Sequence, residues 1–251
     1  LVAISGNSAV ISSPTGLNES RYLIIKGVYD NSGNASNTFI SNEFIFSNVI
    51  PTLEISEPSV EYTKSGDVIY TVTYYDAANV DLTLDKINLI KTGTADLNSE
   101  TGTITISGEG NTTRTITISN LVGDGTIGIE ILPGSASSVS GVNDRETVRS
   151  TTFGVDNTAP TITFEPENSP TALVSLAVKV TVLDPLINNA SSGLVTNDIK
   201  YAWSKDGENA PTEWTDFTLV NSVASIDAPS ENGDWYLWIQ SLEDNVGNVV
   251  E

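Results

Sequence analysis

Apolar and polar residues alternate along most of the chain with a period of two. Residues 68–75, VIYTVTYY, place valine or tyrosine at every second position, and residues 176–183, LAVKVTVL, repeat the alternation with leucine and valine. This pattern is typical of strands that bury one face, and no stretch has a convincing helical period. Ser, Thr, Asn and Gly fill the gaps and give turn signals roughly every 8–12 residues. The sequence therefore predicts an all-β fold built from β-sandwiches.

The chain also repeats itself. Residues 44–55, FIFSNVIPTLEI, align with residues 153–164, FGVDNTAPTITF, which puts Pro51 on Pro160, 109 residues later. YDNSGN at 29–34 recurs as EDNVGN at 243–248, 214 residues or twice 107 further on. A period of this length suits one sandwich of about 100 residues. The register predicts the second half of a repeat at 1–49, a domain at 50–155, and a domain at 156–251 that lacks most of its last strand.

Under this register the chain ends fall inside repeats. The simplest interpretation is an excerpt from a longer tandem array, and a start at Leu1 without methionine agrees with it. The alternative is an assembly in which neighbouring chains complete the broken sandwiches by strand addition.

The charge of the chain limits its partners. It has 32 acidic and 11 basic residues and a net charge of −21. Such a surface repels nucleic acid and anionic lipid and attracts cations, although it also keeps an extended chain soluble without any ligand. No apolar run approaches the roughly 20 residues of a membrane span. We therefore expect neither a nucleic-acid partner nor membrane insertion.

Cysteine, histidine and methionine are absent. Their absence excludes disulfides, thiolate and imidazole metal sites, and a Ser-His-Asp triad. Any metal must be held by oxygen, which favours calcium over transition metals. No pair of carboxylates is framed by an element that would form a cleft for glycoside hydrolysis, so we expect a protein that is not an enzyme.

Several segments resemble the bacterial Ig-like repeats of large cell-surface proteins and adhesins. They are VDNTAPTI, YTVTYYDAANVDLTLDKINLIKTGTA, GDGTIGIEILPGSA, YAWS and EDNVGN. The resemblance covers nearly all of residues 50–251 and implies tandem Ig-like β-sandwiches arranged end to end, outside the cell. It also implies calcium at the domain joints, as in several such arrays, and the linker is similar to the Asp-Asn-x-x-Pro connector of cadherins.

The pattern and the resemblance together assign the strands. In the second repeat they predict A at 52–56, B at 67–75, C at 86–91, a pair at 103–107 and 113–119, F at 126–132 and G at 146–155. In the third repeat they predict A at 161–165, B at 173–183, C at 198–204 and F at 235–242.

This topology predicts a calcium site between the second and third repeats. In an Ig-like sandwich the B–C and F–G loops lie at the end where the chain enters, and the E–F loop lies at the opposite end. Head-to-tail stacking brings an E–F loop to the linker and to the next domain's B–C and F–G loops. The oxygens of these residues could supply the six to eight that calcium takes, or each residue could simply close a turn. The candidate ligands are Asp124, Asp156, Asn157, Asp184, Asp244 and Asn245.

The joint between the first and second repeats provides an internal control. Ser47 stands there for Asp156 and Ser138 for Asp244, while Asn48 and Asp76 remain. With two fewer carboxylates, we expect weak or absent calcium and a looser hinge.

Other loops favour structural roles. Gly33 and Gly247 are predicted to take the positive φ of a hairpin turn. Residues 143–146, NDRE, are predicted to form a solvated turn and the start of a strand.

Aromatic residues of the third repeat have two interpretations. Trp203 on strand C is predicted to lie in the core. On strand F, Trp235 and positions 237 and 239 should face inward, with Tyr236 and Trp238 outward. These outward rings could bind sugar or a partner, or pack under the loop at 205–214.

These observations support one main hypothesis and two alternatives. The main hypothesis is a non-catalytic structural or adhesive stalk of an extracellular, surface-displayed or secreted protein. Its partners would be neighbouring repeats of the same chain, and other copies in a fibre or surface layer. The alternatives are a glycan- or protein-binding Ig-like module and an accessory region of a secreted polysaccharide-degrading enzyme.

Overall fold

The computed structural model describes residues 2–5, 8–11, 19–26, 28–46, 49–169, 176–197 and 199–250. Within these ranges the regular structure is β-strand, apart from one 3-10 turn at Leu84–Lys86. The predicted all-β class is therefore confirmed. A search of the same ranges for a helix long and apolar enough to cross a membrane finds none.

Two antiparallel hairpins form the N-terminal part. The first pairs β1 (Val2–Ser5) with β2 (Ser8–Ile11). The second pairs β3 (Glu19–Ile25) with β4 (Phe39–Phe46), with a register shift between Tyr22 and Ile24. In the repeat register, β3 and β4 correspond to the predicted strands F and G.

The middle sandwich spans Thr52 to Val155. Its strands are β5 (Thr52–Ile55), β6 (Tyr62–Thr63), β7 (Val68–Tyr75), β8 (Asn79–Val80), β9 (Ile87–Lys91), β10 (Asp96–Leu97), β11 (Thr103–Ser107), β12 (Thr113–Ser119), β13 (Leu121–Val122), β14 (Gly125–Ile131), β15 (Ala136–Ser137), β16 (Val148–Arg149) and β17 (Phe153–Val155).

These strands make two sheets. The first has the order β11-β12-β7-β5 and is antiparallel. In the second, β14 lies between β9 on one side and β16 and β17 on the other, and β6 pairs in parallel with β17. Two short antiparallel pairs, β10-β13 and β15-β8, join the connecting loops by backbone pairing.

One apolar core lies between the two sheets of the middle sandwich. Along β7, Val68, Tyr70 and Val72 are fully buried while the residues between them face outward. The second sheet contributes Ile127 and Ile129, which are also fully buried. Burying one such side chain stabilises the fold by about 1.5–3 kcal/mol, so the period-two pattern fixes which face of each strand points inward.

The C-terminal sandwich has a separate core built from Val178, Val180, Val182, Ile199 and Ile226. Two three-stranded sheets, β18-β19-β22 and β21-β20-β23, and the hairpin β24-β25 form it. The strands are β18 (Thr161–Glu165), β19 (Ala177–Leu183), β20 (Lys200–Ser204), β21 (Thr215–Asp216), β22 (Val223–Asp227), β23 (Tyr236–Ile239), β24 (Leu242–Glu243) and β25 (Val249–Val250).

Two predicted strands are interrupted in the structure. The strand predicted at 146–155 divides into β16 and β17 because Ser150 leaves the regular ladder. The backbone N–H of Ser150 donates to the carbonyl of Ile129, and its hydroxyl accepts from the N–H of Ile129. The strand predicted at 235–242 divides into β23 and β24. The predicted strand starts at 173–175 and at 198 lie outside the described residues.

Candidate metal centre

Three aspartates converge where the linker meets the C-terminal sandwich. Asp156 follows β17, Asp184 follows β19 and Asp244 follows β24. Each offers a carboxylate oxygen, and these three oxygens all lie within 4.8 Å of one another. Asp156 and Asp244 are buried, with 0% and 1% of their surface exposed, and Asp184 is half-buried. We call this group the aspartate triad.

The loop after β19 supplies most donors to Asp156 and Asp184. The backbone N–H of Ser192 donates to Asp156 Oδ2 at 2.7 Å, and that of Gly193 donates to Asp184 Oδ2 at 2.6 Å. The hydroxyl of Ser191 also donates to Asp184 Oδ2, at 2.8 Å. The loop therefore folds around two of the three carboxylates.

Asp244 is held by its own hairpin. Its Oδ1 accepts from the backbone N–H of Val246 and Asn248, and its Oδ2 accepts from the side-chain amide of Asn248 at 2.6 Å. Gly247 has φ of +86°, as the turn prediction required. The turn role and a place in the triad thus coexist in one residue.

The equivalent hairpin in the N-terminal part has the same bonds but stands in solvent. Asp30 accepts from the backbone N–H of Ser32 and Asn34 and from the side-chain amide of Asn34, and Gly33 has φ of +83°. The hydrogen bond from the Asn34 side chain is the main cause that lowers the pKa of Asp30 below its ordinary value. The hairpin sequence therefore orients an ionised carboxylate by itself, without a neighbouring domain.

Two polar atoms are buried here without a hydrogen-bond partner, one in the triad itself and one in the residue whose N–H binds Asp156. They are Asp184 Oδ1 and Ser192 Oγ. Among the described residues, no salt bridge includes any member of the triad. Burying a carboxylate without a counter-charge costs several kcal/mol, so this arrangement of oxygens is suited to a cation.

Asp124 lies outside the triad, although the sequence analysis grouped it with the other ligands. Its Oδ1 accepts from the backbone N–H of Asn157 at 2.8 Å and from the hydroxyl of Thr158 at 3.0 Å. It therefore holds the linker from the side of the middle sandwich, and it is not grouped with the three converging carboxylates.

The two candidate asparagines bind backbone carbonyls through their amide groups. The side chain of Asn157 donates to the carbonyls of Lys64 and Gly123, both in the middle sandwich. The side chain of Asn245 donates to the carbonyl of Ser192 at 2.8 Å. Asn157 therefore ties the linker to the middle sandwich, and Asn245 ties the last hairpin to the loop after β19.

Sequence reasoning missed Ser192 as a candidate ligand. Nothing marks it among so many serines, because its position depends on how the loop from 184 to 193 folds. Its N–H donates to Asp156 and its hydroxyl is buried, which places a further oxygen beside the triad.

The joint between the first and second repeats is only partly described. Ser47 and Asn48 lie outside the described residues. Ser138 is buried at 5% exposure, and its hydroxyl accepts from the backbone N–H of Val142 at 3.2 Å, which reproduces the turn at Asp244 without a carboxylate. Asp76 is exposed and has φ of +57°.

Residues 143, 145 and 146 of the acidic segment are exposed, as predicted, but Asp144 is not, and the strand that follows begins only at Val148. Asp144 is only 4% exposed. Its Oδ1 accepts from the N–H of Gly134 and Ala136, and its Oδ2 accepts from the hydroxyl of Ser135. Both oxygens of this carboxylate accept hydrogen bonds from residues 134–136, and these bonds close the loop after β14.

The aromatic residues of the C-terminal sandwich follow the prediction in part. Trp203 packs against the core, as predicted. Trp235 does not face inward: Lys205 Nζ lies 4.8 Å from the centre of its ring, and its indole donates to the carbonyl of Glu231. Trp238 lies under the loop, donating to the carbonyl of Asp206, while Tyr236 remains 51% exposed.

Comparison with known proteins adds no family to this picture. No protein-family model matches the sequence, and no curated protein matches it. Three carboxylates converge in a largely buried site whose described hydrogen-bond donors are all neutral, and such a site can bind a hard cation.

Proposed function

We propose that the chain is a structural stalk segment of an extracellular surface protein, made of tandem Ig-like sandwiches. The strand order of the middle sandwich supports the Ig-like assignment. Its first sheet, β11-β12-β7-β5, has the predicted pair beside strands B and A, and in its second sheet β14 (F) joins β9 (C) to β16 and β17 (G). With the pair taken as strands D and E, this order matches that of a seven-stranded Ig domain. The parallel pair β6-β17 adds a short A′ strand beside G.

We propose calcium as the ion of the aspartate triad. The observation that carries this proposal is the buried Asp184 Oδ1, which has no hydrogen-bond donor although it lies in a group of three converging carboxylates. Calcium takes oxygen ligands from carboxylates, carbonyls and hydroxyls, at irregular geometry and about 2.3–2.6 Å. Asp156, Asp184 and Asp244 would hold it, with Ser192 as a neutral ligand and water completing the shell.

The mechanical role follows from where the triad lies. Without a cation, three carboxylates, two of them buried, repel one another across a few ångströms, and this repulsion acts on the segment that joins two sandwiches. A divalent cation would neutralise most of that charge and fix the linker against the loops after β19 and β24. The partners would then be neighbouring repeats of the same chain, and other copies in a fibre or surface layer.

Small-angle X-ray scattering with and without chelator tests the proposed stiffening. We expect calcium to narrow the distribution of overall dimensions and the chelator to widen it. Asp244→Ser, which copies the residue at Ser138, is the matched control and should scatter alike in both conditions. Identical profiles for the unaltered chain with and without calcium would contradict the proposal.

A binding role for the C-terminal sandwich is the second candidate, and one observation favours it. Tyr236 is half-exposed and its ring lies against Gly207, beside the stacked pair of Lys205 and Trp235. Exposed aromatic rings of this kind bind sugar faces or protein partners. A glycan array probed with the unaltered chain and with Tyr236→Ala distinguishes the two functions, since the stalk proposal expects no signal from either.

A further inference from the structure

We infer that Asp124 is a positioning residue that couples the aspartate triad to the middle sandwich, and that it is not a metal ligand. The inference rests on the proposed function and deepens it. The ion is bound by the linker and the C-terminal sandwich. The effect of binding reaches the middle sandwich through a separate contact, that of Asp124 with the linker.

The triad and its donors belong to the linker and the C-terminal sandwich. Asp184 and Asp244 lie in loops of that sandwich, and Asp156 is bound to it through the N–H of Ser192 and through its own carbonyl, which accepts from the side chain of Asn248. No atom of the middle sandwich before β17 is among the hydrogen-bond donors to these carboxylates in the described ranges.

The middle sandwich holds the next two residues of the linker. Asp124 Oδ1 accepts from both the N–H of Asn157 and the hydroxyl of Thr158. The side chain of Asn157 reaches the carbonyls of Gly123 and Lys64. The backbone N–H of Asp156 also donates to the carbonyl of Thr63 at 3.0 Å. The middle sandwich therefore holds three successive linker residues, while the carboxylate of Asp156 accepts from the C-terminal sandwich.

Thr158 connects the two sets of bonds. Its backbone N–H donates to Asp156 Oδ1 at 3.2 Å, and its hydroxyl donates to Asp124 Oδ1 at 3.0 Å. One half-buried residue thus touches a carboxylate of the triad on one side and the carboxylate of Asp124 on the other. Asp156 is therefore joined to Asp124 through Thr158 and also through the N–H of Asn157, the next residue along the chain.

This arrangement predicts how binding and docking are linked. When the ion fixes the carboxylate of Asp156, Asn157 and Thr158 are held in the orientation in which they donate hydrogen bonds to Asp124. By linkage, the docked joint must raise the affinity for the ion by the same factor by which the ion favours docking. Loss of Asp124 should therefore weaken binding only by that factor, whereas loss of a ligand removes binding.

Direct distance measurement separates these roles. The chain has no cysteine, so Thr105→Cys on β11 and Ser225→Cys on β22, both exposed, can carry one spin label in each sandwich. The distance distribution is recorded by double electron–electron resonance with calcium and with chelator. The variants are Asp124→Ala and Thr158→Val, which removes only the linking hydroxyl, with exposed Asp81→Ala as the control at the opposite end of the middle sandwich.

We expect calcium to narrow the distribution in the unaltered chain and in Asp81→Ala but not in Asp124→Ala or Thr158→Val. Calorimetry should show that both joint variants keep calcium affinity within about tenfold of the unaltered chain, a loss at the lower end of the roughly 5- to 150-fold range of typical couplings. An affinity loss of a hundredfold or more in Asp124→Ala, or calcium-dependent narrowing that survives in both variants, would overturn the inference. Absence of calcium binding by the unaltered chain would instead overturn the proposed function, and the coupling with it.

Discussion

The side-chain amide of Asn248 donates a 2.9 Å hydrogen bond to the backbone carbonyl of Asp156, which lies 92 residues earlier in the chain. The same amide donates to Asp244 Oδ2 at 2.6 Å. Asn248 is only 3% exposed, so one buried asparagine joins the last hairpin to the linker. Two members of the triad are therefore connected through a neutral side chain as well as by proximity.

Asn248→Ala should destabilise the C-terminal sandwich by about 1–3 kcal/mol, because it leaves buried acceptors without a donor. The measurement is urea unfolding followed by tryptophan fluorescence, since all four tryptophans lie between 203 and 238.

Asn34→Ala is the matched control for that variant. It removes the corresponding bond to Asp30 in an exposed hairpin, and we expect it to change stability by no more than about 0.5 kcal/mol. Equal effects of the two variants would show that the turn alone, and not its contact with Asp156, accounts for the loss.

Gly93→Ala should loosen the joint between the two sandwiches. Gly93 has φ of +63°, and a Cβ there would clash with the side chain of Asn188 and with the carbonyl of Asp124. Small-angle scattering in calcium should show wider overall dimensions for this variant.

Gly110→Ala is the control for backbone strain in that experiment. Gly110 also has a positive φ, +80°, but nothing lies within 4 Å of the added Cβ. It bears the same kind of left-handed strain, about 1–2 kcal/mol, and should leave the dimensions unchanged. If both variants or neither altered the scattering, close approach at Gly93 would not be what holds the joint.

The two cores should respond separately to truncation. Ile129 lies in the core of the middle sandwich and Ile226 in that of the C-terminal sandwich, at 0% and 3% exposure. Ile226→Ala should lower the stability reported by tryptophan fluorescence by about 3 kcal/mol. Ile129→Ala should leave the fluorescence transition of the C-terminal sandwich unchanged. It should lower the stability of the middle sandwich, which has no tryptophan and is followed by circular dichroism. A shift of the fluorescence transition by Ile129→Ala would mean that the two sandwiches unfold as one unit.

Alkaline pH should destabilise the middle sandwich through Tyr70. Burial is the main cause that raises the pKa of Tyr70 above 10.0, and its hydroxyl donates to the carbonyl of Thr151 at 2.8 Å. A raised pKa in the folded state means that the neutral form is favoured there. The stabilisation is complete below pH 10 and is lost as the pH rises through the folded pKa.

Unfolding monitored by circular dichroism between pH 8 and 11 measures this effect. We expect the free energy of unfolding to fall above pH 10, with a smaller fall in Tyr70→Phe. The exposed Tyr22 provides the control, since Tyr22→Phe should keep the full fall. An unchanged slope in Tyr70→Phe would exclude Tyr70 as the titrating group.

The sequence predicted the strands well where one face is buried. The alternation at 68–75 and the pair at 103–107 and 113–119 match the observed strands closely, because a period of two leaves one choice of inward face. The break at Ser150 could not be predicted, since it depends on a serine hydroxyl that replaces a ladder bond with Ile129.

The part of the candidate site that depends on strand topology could be predicted from the sequence. Knowing which loops share an end of a sandwich was enough to propose Asp156, Asp184 and Asp244 together, and the structure brings these three together. The same topology placed Asp124 nearby but could not determine that its carboxylate binds Asn157 and Thr158. That choice depends on side-chain geometry within a few ångströms, which no repeat register encodes.

Calorimetric titration of calcium into the unaltered chain and into Asp244→Ser tests the central claim most directly. Serine at this position copies the natural hairpin at Ser138, so the variant should keep its turn while losing one carboxylate of the triad. We predict one calcium ion bound per unaltered chain at the triad, and affinity at least a hundredfold weaker in the variant. No binding by the unaltered chain, or equal binding by both proteins, would contradict the assignment of the triad as a calcium site.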